Sequence, residues 1–171
     1  MEISAFLKSI GKTDSQYLPL SLRVAAYTVD YCTKPLSIDN LKLLYPENFE
    51  NLVEKMSKKY DIESSIIYAL IRTESYFDPM AESVAGAMGL TQLMQMTAQD
   101  IAAKFKKTDF IITDPETNIE FGTYYLTQLI SRCNDSTILA FFSYNSGITR
   151  VRKWQQSTNV STSRPGNVPQ D

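Results

Sequence analysis

The stretch of sequence that decides the fold runs from residue 63 to residue 94 and is ESSIIYALIRTESYFDPMAESVAGAMGLTQLM. In its first half, Ile67, Leu70 and Ile71 recur at steps of three and four positions. This spacing predicts an amphipathic helix from about Glu63 to Ser75, because residues three and four apart share one face of a helix. The second half lacks that periodicity, which predicts a shaped loop.

Glu74 projects from the same face of this expected helix, because it follows Leu70 by four positions and Ile71 by three. It also lies in the last turn, where the helix dipole disfavours a negative charge. Position and burial together predict a raised pKa for its carboxyl group, as a general acid for glycosidic cleavage needs. The alternative is a side chain that extends past the helix end into water, and the spacing alone leaves both open.

The expected loop, residues 76–96, contains Gly86 and Gly89, which bracket Ala87 and Met88. Glycines at such a spacing serve positive φ angles or a close approach of the backbone to another group. That group is a ligand or, more commonly, a packed helix backbone. The pair is too irregular for a dinucleotide fingerprint and has no lysine placed as in a phosphate loop, so nucleotide binding is disfavoured.

A third feature is the run of Phe141, Phe142, Tyr144 and Asn145 just before Gly147. Proteins bind sugars with aromatic faces and with amide and hydroxyl groups. Tyr144 and Asn145 are therefore candidates for sugar binding. A buried tyrosine with a satisfied hydroxyl would give the same sequence, and this alternative stays open.

The bulk composition is that of an ordinary soluble globular protein with one main domain: 171 residues, 43% hydrophobic and 21% charged. A formal net charge of −2 provides no positive field for nucleic acid or an anionic membrane. No apolar run is long enough for an integral membrane segment, and the N-terminus, with Glu2 where a positive region belongs, does not resemble a signal peptide.

The chain contains no histidine, which excludes Ser-His-Asp and Cys-His nucleophiles and removes the commonest nitrogen ligand of zinc. Carboxylates must therefore carry any acid–base chemistry. Among the other acids, Asp114 fits a helix cap and Asp78 a turn, so no second carboxylate pairs convincingly with Glu74. We expect no metal and no cofactor. Cys32 and Cys133 are expected to be free thiols.

The absence of strand-like alternation elsewhere predicts an all-α architecture. Besides residues 63–75, the expected helical segments are 16–32 (one helix or a pair), a short helix from 37, 47–60, 97–107 opened by a capping box at Thr97, 115–131 capped by Asp114, 136–146 ended by Gly147, and 148–156. The polar tail, Ser157 to Asp171, lacks periodicity and is expected to be disordered.

Several of these segments together resemble the soluble lytic transglycosylases, whose catalytic domain is lysozyme-like. The resemblance rests on Glu74 to Pro79, Ser83 to Met94, Thr97-Ala98, Asp114 to Ile119 with Gly122, Tyr125-Leu126, Ser143 to Gly147, and Val151 to Trp154. These blocks follow one another in the family's order and spacing. The resemblance covers about residues 45–156 as one transglycosylase domain, and residues 1–44 resemble the end of a helical superhelix that precedes it.

The resemblance implies an enzyme that cleaves the bond between N-acetylmuramic acid and N-acetylglucosamine in peptidoglycan, without water, to give a 1,6-anhydro product. Its one essential glutamate matches Glu74. The positions that match the family's cleft are Ser83, Gln92, Met94, Tyr144 and Asn145, with Tyr144 orienting the glutamate. The implied partner is the glycan strand of peptidoglycan, and the implied location is therefore extracytoplasmic, in the periplasm or cell envelope.

This sequence departs from the family's pattern at three places. Thr91 stands where the family usually has methionine, and Gln95 where it often has proline. The segment with Glu-Thr-Arg and Tyr-Val that normally closes the domain is missing. The missing segment leaves open a non-catalytic peptidoglycan-binding module with a degenerate C-terminus. A second alternative, from the same chemistry, is a hydrolase of the goose-type lysozyme kind.

Overall fold

A computed structural model of the chain describes Ala5, Phe6, Lys8 and Ser9, residues 17–30 and residues 37–158. Within these residues the fold is dominated by helices, and the prediction of an all-α class is confirmed. One small feature of the loop was not predicted: its residues form a two-stranded antiparallel sheet.

The elements whose bounds are described are, in chain order, α1 (Tyr17–Asp30), α2 (Ile38–Leu44), α3 (Glu50–Tyr60), α4 (Ser64–Ser75), β1 (Ala87–Met88), β2 (Leu93–Met94), α5 (Gln95–Lys104), α6 (Pro115–Arg132), α7 (Thr137–Ser146) and α8 (Ile148–Thr158). In the sheet, Ala87 pairs with Met94 and Met88 with Leu93. Residues from 159 onwards lie outside the described part, and so does Cys32; Cys133 is a buried free thiol.

Two helices begin two or more residues away from their predicted starts. Helix α3 begins at Glu50 rather than Glu47, because Phe49 has a left-handed backbone with φ of 64° and the helix can start only after it. The prediction of a capping box at Thr97 is wrong. Strand β2 leads directly into α5, so the helix starts at Gln95 after an extended Met94 that makes no side-chain cap.

The caps predicted for α6 and α7 are confirmed. Asp114 Oδ2 accepts a hydrogen bond of 2.9 Å from the backbone N–H of Thr117, and Pro115 is the first helical residue. Ser136 caps α7 with its side chain, and Gly147 ends it with φ of 82°.

The chain divides into two compact units, the first ending at Thr123 and the second beginning at Tyr124. In the first unit, α3 packs against α4, and the apolar face of α4 predicted from the sequence is fully buried. Other buried side chains of this unit are Val53, Met56, Phe77, Leu90, Ile119 and Phe121. In the second unit, α7 packs against α8, and the buried side chains include Leu126, Leu129, Ala140 and Val151.

The domain limits predicted from the resemblance, residues 1–44, 45–156 and 157–171, stay a prediction. None of the helices in the described residues combines the length and the apolar character that crossing a bilayer requires.

The first unit contains one buried carboxylate that two lysines hold. Glu120 on α6 is 7% exposed and accepts hydrogen bonds from Lys59 at the end of α3 and from Lys107 after α5, the latter at 2.7 Å. Burial by itself would raise the pKa of Glu120, but the hydrogen bonds and charges of Lys107 and Lys59 outweigh it and lower the pKa. The cluster joins three segments that are distant in sequence.

We expect Glu120→Gln to lower the free energy of unfolding by about 1–3 kcal/mol at pH 7, because it removes the charge that two lysines contact. The folded-state pKa is depressed, so this stabilisation is present above the ordinary value of 4.5 and is lost as the pH falls through the folded pKa. Urea unfolding of both proteins at pH 7 and at a pH below the folded pKa of Glu120 measures this stabilisation. Glu116→Gln, which breaks the exposed pair with Lys55, is the control and should cost under about 1 kcal/mol.

Candidate functional site

Glu74 lies in the last turn of α4, half-buried, on the face that also carries the fully buried Ile67, Leu70 and Ile71. Burial raises the pKa of its carboxyl group, as predicted from the sequence. Among the described residues its carboxyl group has neither a hydrogen-bond partner nor an ion-pair partner. The group is therefore suited to hold a proton and to give it up to a ligand.

The backbone after Glu74 turns sharply and fixes the end of the helix. Tyr76 and Phe77 both have left-handed backbones, with φ of 53° and 64°, so the helix cannot continue, and the Phe77 side chain is buried. Ser75 Oγ donates hydrogen bonds to Ile71 O at 3.1 Å and to Leu90 O at 2.8 Å. The second of these bonds ties the turn that carries Glu74 to the glycine-containing loop.

Both loop glycines have positive φ, 81° at Gly86 and 78° at Gly89, as the sequence analysis allowed. A Cβ atom on Gly89 would overlap the side chain of Asn118, whereas one on Gly86 would meet no atom within 4 Å. The group that approaches Gly89 is thus an amide side chain from α6. The expectation that such a glycine more commonly makes room for a helix backbone is not met at Gly89.

Asn118 fastens the loop to α6 and is completely buried. Its Oδ1 accepts hydrogen bonds from Thr91 N and Thr91 Oγ1, both at 2.7 Å. Its Nδ2 donates to Met88 O at 3.0 Å and to Ile112 O at 2.7 Å. Thr91, the departure from the family's methionine, is therefore accommodated by a hydrogen bond, and it fills the space that a side chain on Gly122 would occupy.

Three of the predicted cleft residues lie in the same loop. Ser83 Oγ accepts a hydrogen bond from Ala87 N at 2.9 Å, and Gln92 Nε2 donates to Ala81 O at 3.0 Å. Gln92 Oε1 accepts no hydrogen bond from the described residues and is available to a ligand. Met94 is 45% exposed. Ser83 and Gln92 brace the loop, and the role of all three in substrate binding stays a prediction.

The other two predicted residues lie in the last turn of α7, in the second unit. The half-buried ring of Tyr144 packs against that of Tyr125, with centroids 5.2 Å apart and planes at 57°. Asn145 is exposed at the helix end. The prediction that Tyr144 orients Glu74 and that Asn145 binds sugar stays untested.

Two polar residues that hold the loop and the end of α4 in place, Asn118 and Ser75, were not predicted from the sequence. Both are buried polar residues on helices, at 0% and 3% exposure, and most of their partners are backbone groups outside their own helix. The one sequence signal was indirect: Gly89 and Gly122 both lack the side chain that this network would exclude. Matching these glycines to Asn118 and Thr91 requires the fold.

We expect Gly89→Ala to destabilise the protein more than Gly86→Ala. Both substitutions place a side chain at positive φ, which costs about 1–2 kcal/mol. At Gly89 the new Cβ also displaces Asn118 and breaks its hydrogen bonds, so the total should reach about 3–5 kcal/mol. Urea unfolding of the two variants measures the difference, and equal losses would contradict the assigned role of Asn118.

We expect Glu74→Gln to gain stability relative to the wild type as the pH rises from 4 to 7. The folded pKa is raised above the ordinary value of 4.5, so the folded protein keeps a proton that the unfolded chain has lost. Wild-type stability therefore falls through this range, and a neutral amide avoids the loss. Melting temperatures of both proteins across the range test it, and a constant difference would argue that Glu74 is well solvated.

Comparison with known proteins identifies relatives with the same catalytic-domain architecture. The soluble lytic murein transglycosylase of Salmonella typhimurium is 34% identical over 120 residues, which are 68% of this chain and 19% of that protein. An inactive glutamate-to-glutamine mutant of lytic transglycosylase Slt from Pseudomonas aeruginosa has a TM-score of 0.73 and 31% identity over 85% of this chain and 23% of that one.

The structure of the 70 kDa soluble lytic transglycosylase of Escherichia coli has a TM-score of 0.75 and 28% identity, covering 91% of this chain and 25% of that one. The chain spans about a fifth to a quarter of the length of these relatives. The sequence profile of the transglycosylase SLT domain matches residues 51–165. The resemblance found in the sequence is thereby confirmed, and the chain belongs to the transglycosylase SLT domain family.

Proposed function

We propose that this chain is a catalytic domain that cleaves the β-1,4 bond between N-acetylmuramic acid and N-acetylglucosamine in peptidoglycan by lytic transglycosylation, with Glu74 as its single acid and base. The observation that carries the proposal is the environment of Glu74. Its carboxyl group is half-buried and unpaired among the described residues, and its pKa is raised. Such a group is protonated at a pH where an ordinary glutamate is not.

The relatives support both the substrate and the residue type. The Salmonella typhimurium protein is named a soluble lytic murein transglycosylase, and a glutamate-to-glutamine change yields an inactive mutant of the Pseudomonas aeruginosa enzyme. We assign the corresponding role in this chain to Glu74, because residues 74–94 resemble the family's signature. The chain spans about a fifth of the Salmonella typhimurium protein, so we extend that protein's activity to this chain as a proposal.

One carboxyl group can perform the whole reaction in two proton transfers. Glu74 first donates its proton to the glycosidic oxygen as the bond from that oxygen to C1 of the muramic acid breaks, while the substrate's acetamido group stabilises the sugar cation. The C6 hydroxyl oxygen then bonds to C1, and the Glu74 carboxylate takes the hydroxyl proton. No water is consumed, so the product is a 1,6-anhydro sugar and the enzyme is a carbon–oxygen lyase.

The electrostatics around Glu74 favour this route over hydrolysis by the close carboxylate pair of a retaining glycosidase. Retaining glycosidases hold their two carboxyl groups only about 5–5.5 Å apart. A second ionised carboxylate at that distance would add its own charge to the causes that raise the pKa of Glu74. Among the described residues burial is the cause of the shift, without a contribution from another acid.

The remaining site residues follow from the same proposal. Within the first unit, Gln92 Oε1 and the exposed Met94 are available to a glycan, and Ser83 shapes the loop that carries them. Tyr144 and Asn145, in the second unit, are also proposed to bind substrate, on the resemblance alone. Because peptidoglycan lies outside the cytoplasmic membrane, the proposed site of action is extracytoplasmic.

We expect the purified protein to release 1,6-anhydromuropeptides from peptidoglycan and Glu74→Gln to release none, because the amide has no proton to give. Mass spectrometry of the soluble products measures both. Glu63→Gln, at the exposed start of the same helix, is the matched control and should retain wild-type activity.

Three other outcomes would each contradict part of the proposal. Reducing ends in place of anhydro ends would indicate a hydrolase of the goose-lysozyme kind. Binding of peptidoglycan without any release would indicate a non-catalytic module. Cleavage by Glu74→Gln would require another residue as the acid.

A further inference from the structure

The end of α4 that carries Glu74 is attached to the N-terminal helices of the same unit. Arg72 Nε donates a hydrogen bond of 2.7 Å to Leu44 O, at the end of α2, and its guanidinium carbon lies 4.7 Å from the centroid of the Tyr45 ring. Leu44 is buried, whereas Tyr45 is exposed. Because α1 and α2 pack against each other, this contact ties both helices to α4.

Tyr76 gives the same end of the helix a second attachment. Its ring centroid lies 5.8 Å from the guanidinium carbon of Arg72 and 5.8 Å from that of Arg23, which is on α1. Both distances are within the range of about 6 Å over which an aromatic ring attracts a cation. Within the described ranges Arg23 has no hydrogen-bond or ion-pair partner, so no carboxylate draws its guanidinium away from the ring.

Glu74 lies inside the short turn that Arg72 and Tyr76 close. The backbone N–H of Tyr76 donates to Arg72 O at 3.2 Å, so the turn is closed once by the backbone and once by the two side chains. Tyr76 has a left-handed backbone with φ of 53°, which glycine and asparagine adopt more readily than tyrosine. The surrounding contacts must therefore hold Tyr76 in this conformation, and strained residues of this kind cluster at functional sites.

The two arginines do not act on the charge of Glu74. Among the described residues burial is the cause of its raised pKa, without a contribution from a cation. A guanidinium close to the carboxylate would lower that pKa instead. Any effect of Arg23 and Arg72 on Glu74 must therefore pass through the position of the turn.

We propose that Tyr76 is a positioning residue for Glu74, and that Arg23 and Arg72 hold its ring so that α1 contributes to the rate of the reaction. The assignment rests on the proposed function. Tyr76 acts through the backbone, because the turn that it closes sets the direction in which the Glu74 side chain leaves α4. Displacement of a reacting group by about 1 Å can cost about 100-fold in rate, so a small change in this turn is measurable.

The kinetic test measures kcat and KM for the release of anhydro products from soluble glycan strands. We expect Tyr76→Leu to lower kcat about five-fold to thirty-fold and Arg23→Gln about two-fold to five-fold, with KM unchanged within about two-fold. Tyr76→Phe, which keeps an aromatic face, should stay near the wild type. Lys42→Gln neutralises an exposed cation of α2 that contacts no described ring, and as the matched control it should keep the wild-type kcat.

Two further variants separate positioning from stability. In the Tyr76→Leu background, Arg23→Gln should lower kcat no further, because the ring that it contacts is already gone. Tyr76→Gly relieves the left-handed backbone, so its melting temperature should lie above that of Tyr76→Leu while its kcat stays as low. Recovery of kcat together with the melting temperature would indicate a purely structural role and overturn the proposal.

Amide hydrogen exchange measures the same contact without catalysis. Because Tyr76 N–H donates to Arg72 O, Arg23→Gln should speed its exchange about two-fold to five-fold, and Lys42→Gln should not. Faster exchange in Arg23→Gln with no product from the wild type would overturn the proposed function and support the hold of α1 on the turn. Wild-type kcat in Tyr76→Leu, a raised KM without loss of kcat, or unchanged exchange in Arg23→Gln would overturn the positioning role and leave the catalytic proposal intact.

Discussion

The rest of the site depends on one buried amide. Asn118 accepts from two donors of Thr91 and donates to the carbonyls of Met88 and Ile112, so its bonds to Thr91 and Met88 fix the glycine-containing loop against α6. A fully satisfied buried network of this kind specifies a unique conformation, because each unsatisfied group would cost about 1–3 kcal/mol. In turn, Leu90 O in this loop accepts a hydrogen bond from the Ser75 hydroxyl, and this bond fixes the residue next to Glu74.

These hydrogen bonds stabilise the backbone around Glu74, but they do not stabilise its ionised carboxylate. The neighbouring backbone groups find their partners in one another, while the carboxyl group is left half-buried and without a partner among the described residues. Glu120 provides the contrast within the same unit: it is more buried, yet two lysines lower its pKa. The protein thus pairs the ionised carboxylate of Glu120 with two lysines. It leaves the carboxyl group of Glu74 unpaired, so that burial raises its pKa, as a general acid requires.

Local signals predicted most of the fold, and the loop marks where they fail. Helical periodicity predicted α4 and its buried face, and cap chemistry predicted the start of α6 at Asp114 and the end of α7 at Gly147. The start of α5 was wrong because the pairing of β1 with β2, a non-local contact, sets it. Likewise, the role of Asn118 depends on a loop some thirty residues earlier, and no spacing within its own helix indicates it.

The end of α4 illustrates why a resemblance and a structure contribute different information. The motif that begins at Glu74 is specific enough to indicate the family, and it directs attention to one face of the helix. Arg72 and Tyr76 lie on either side of that glutamate, and their spacing alone would equally describe an ordinary solvated surface. Only the fold brings Arg23, from a distant part of the sequence, to the ring of Tyr76 and the end of α2 to Arg72, and these contacts give both residues a role that sequence spacing does not encode.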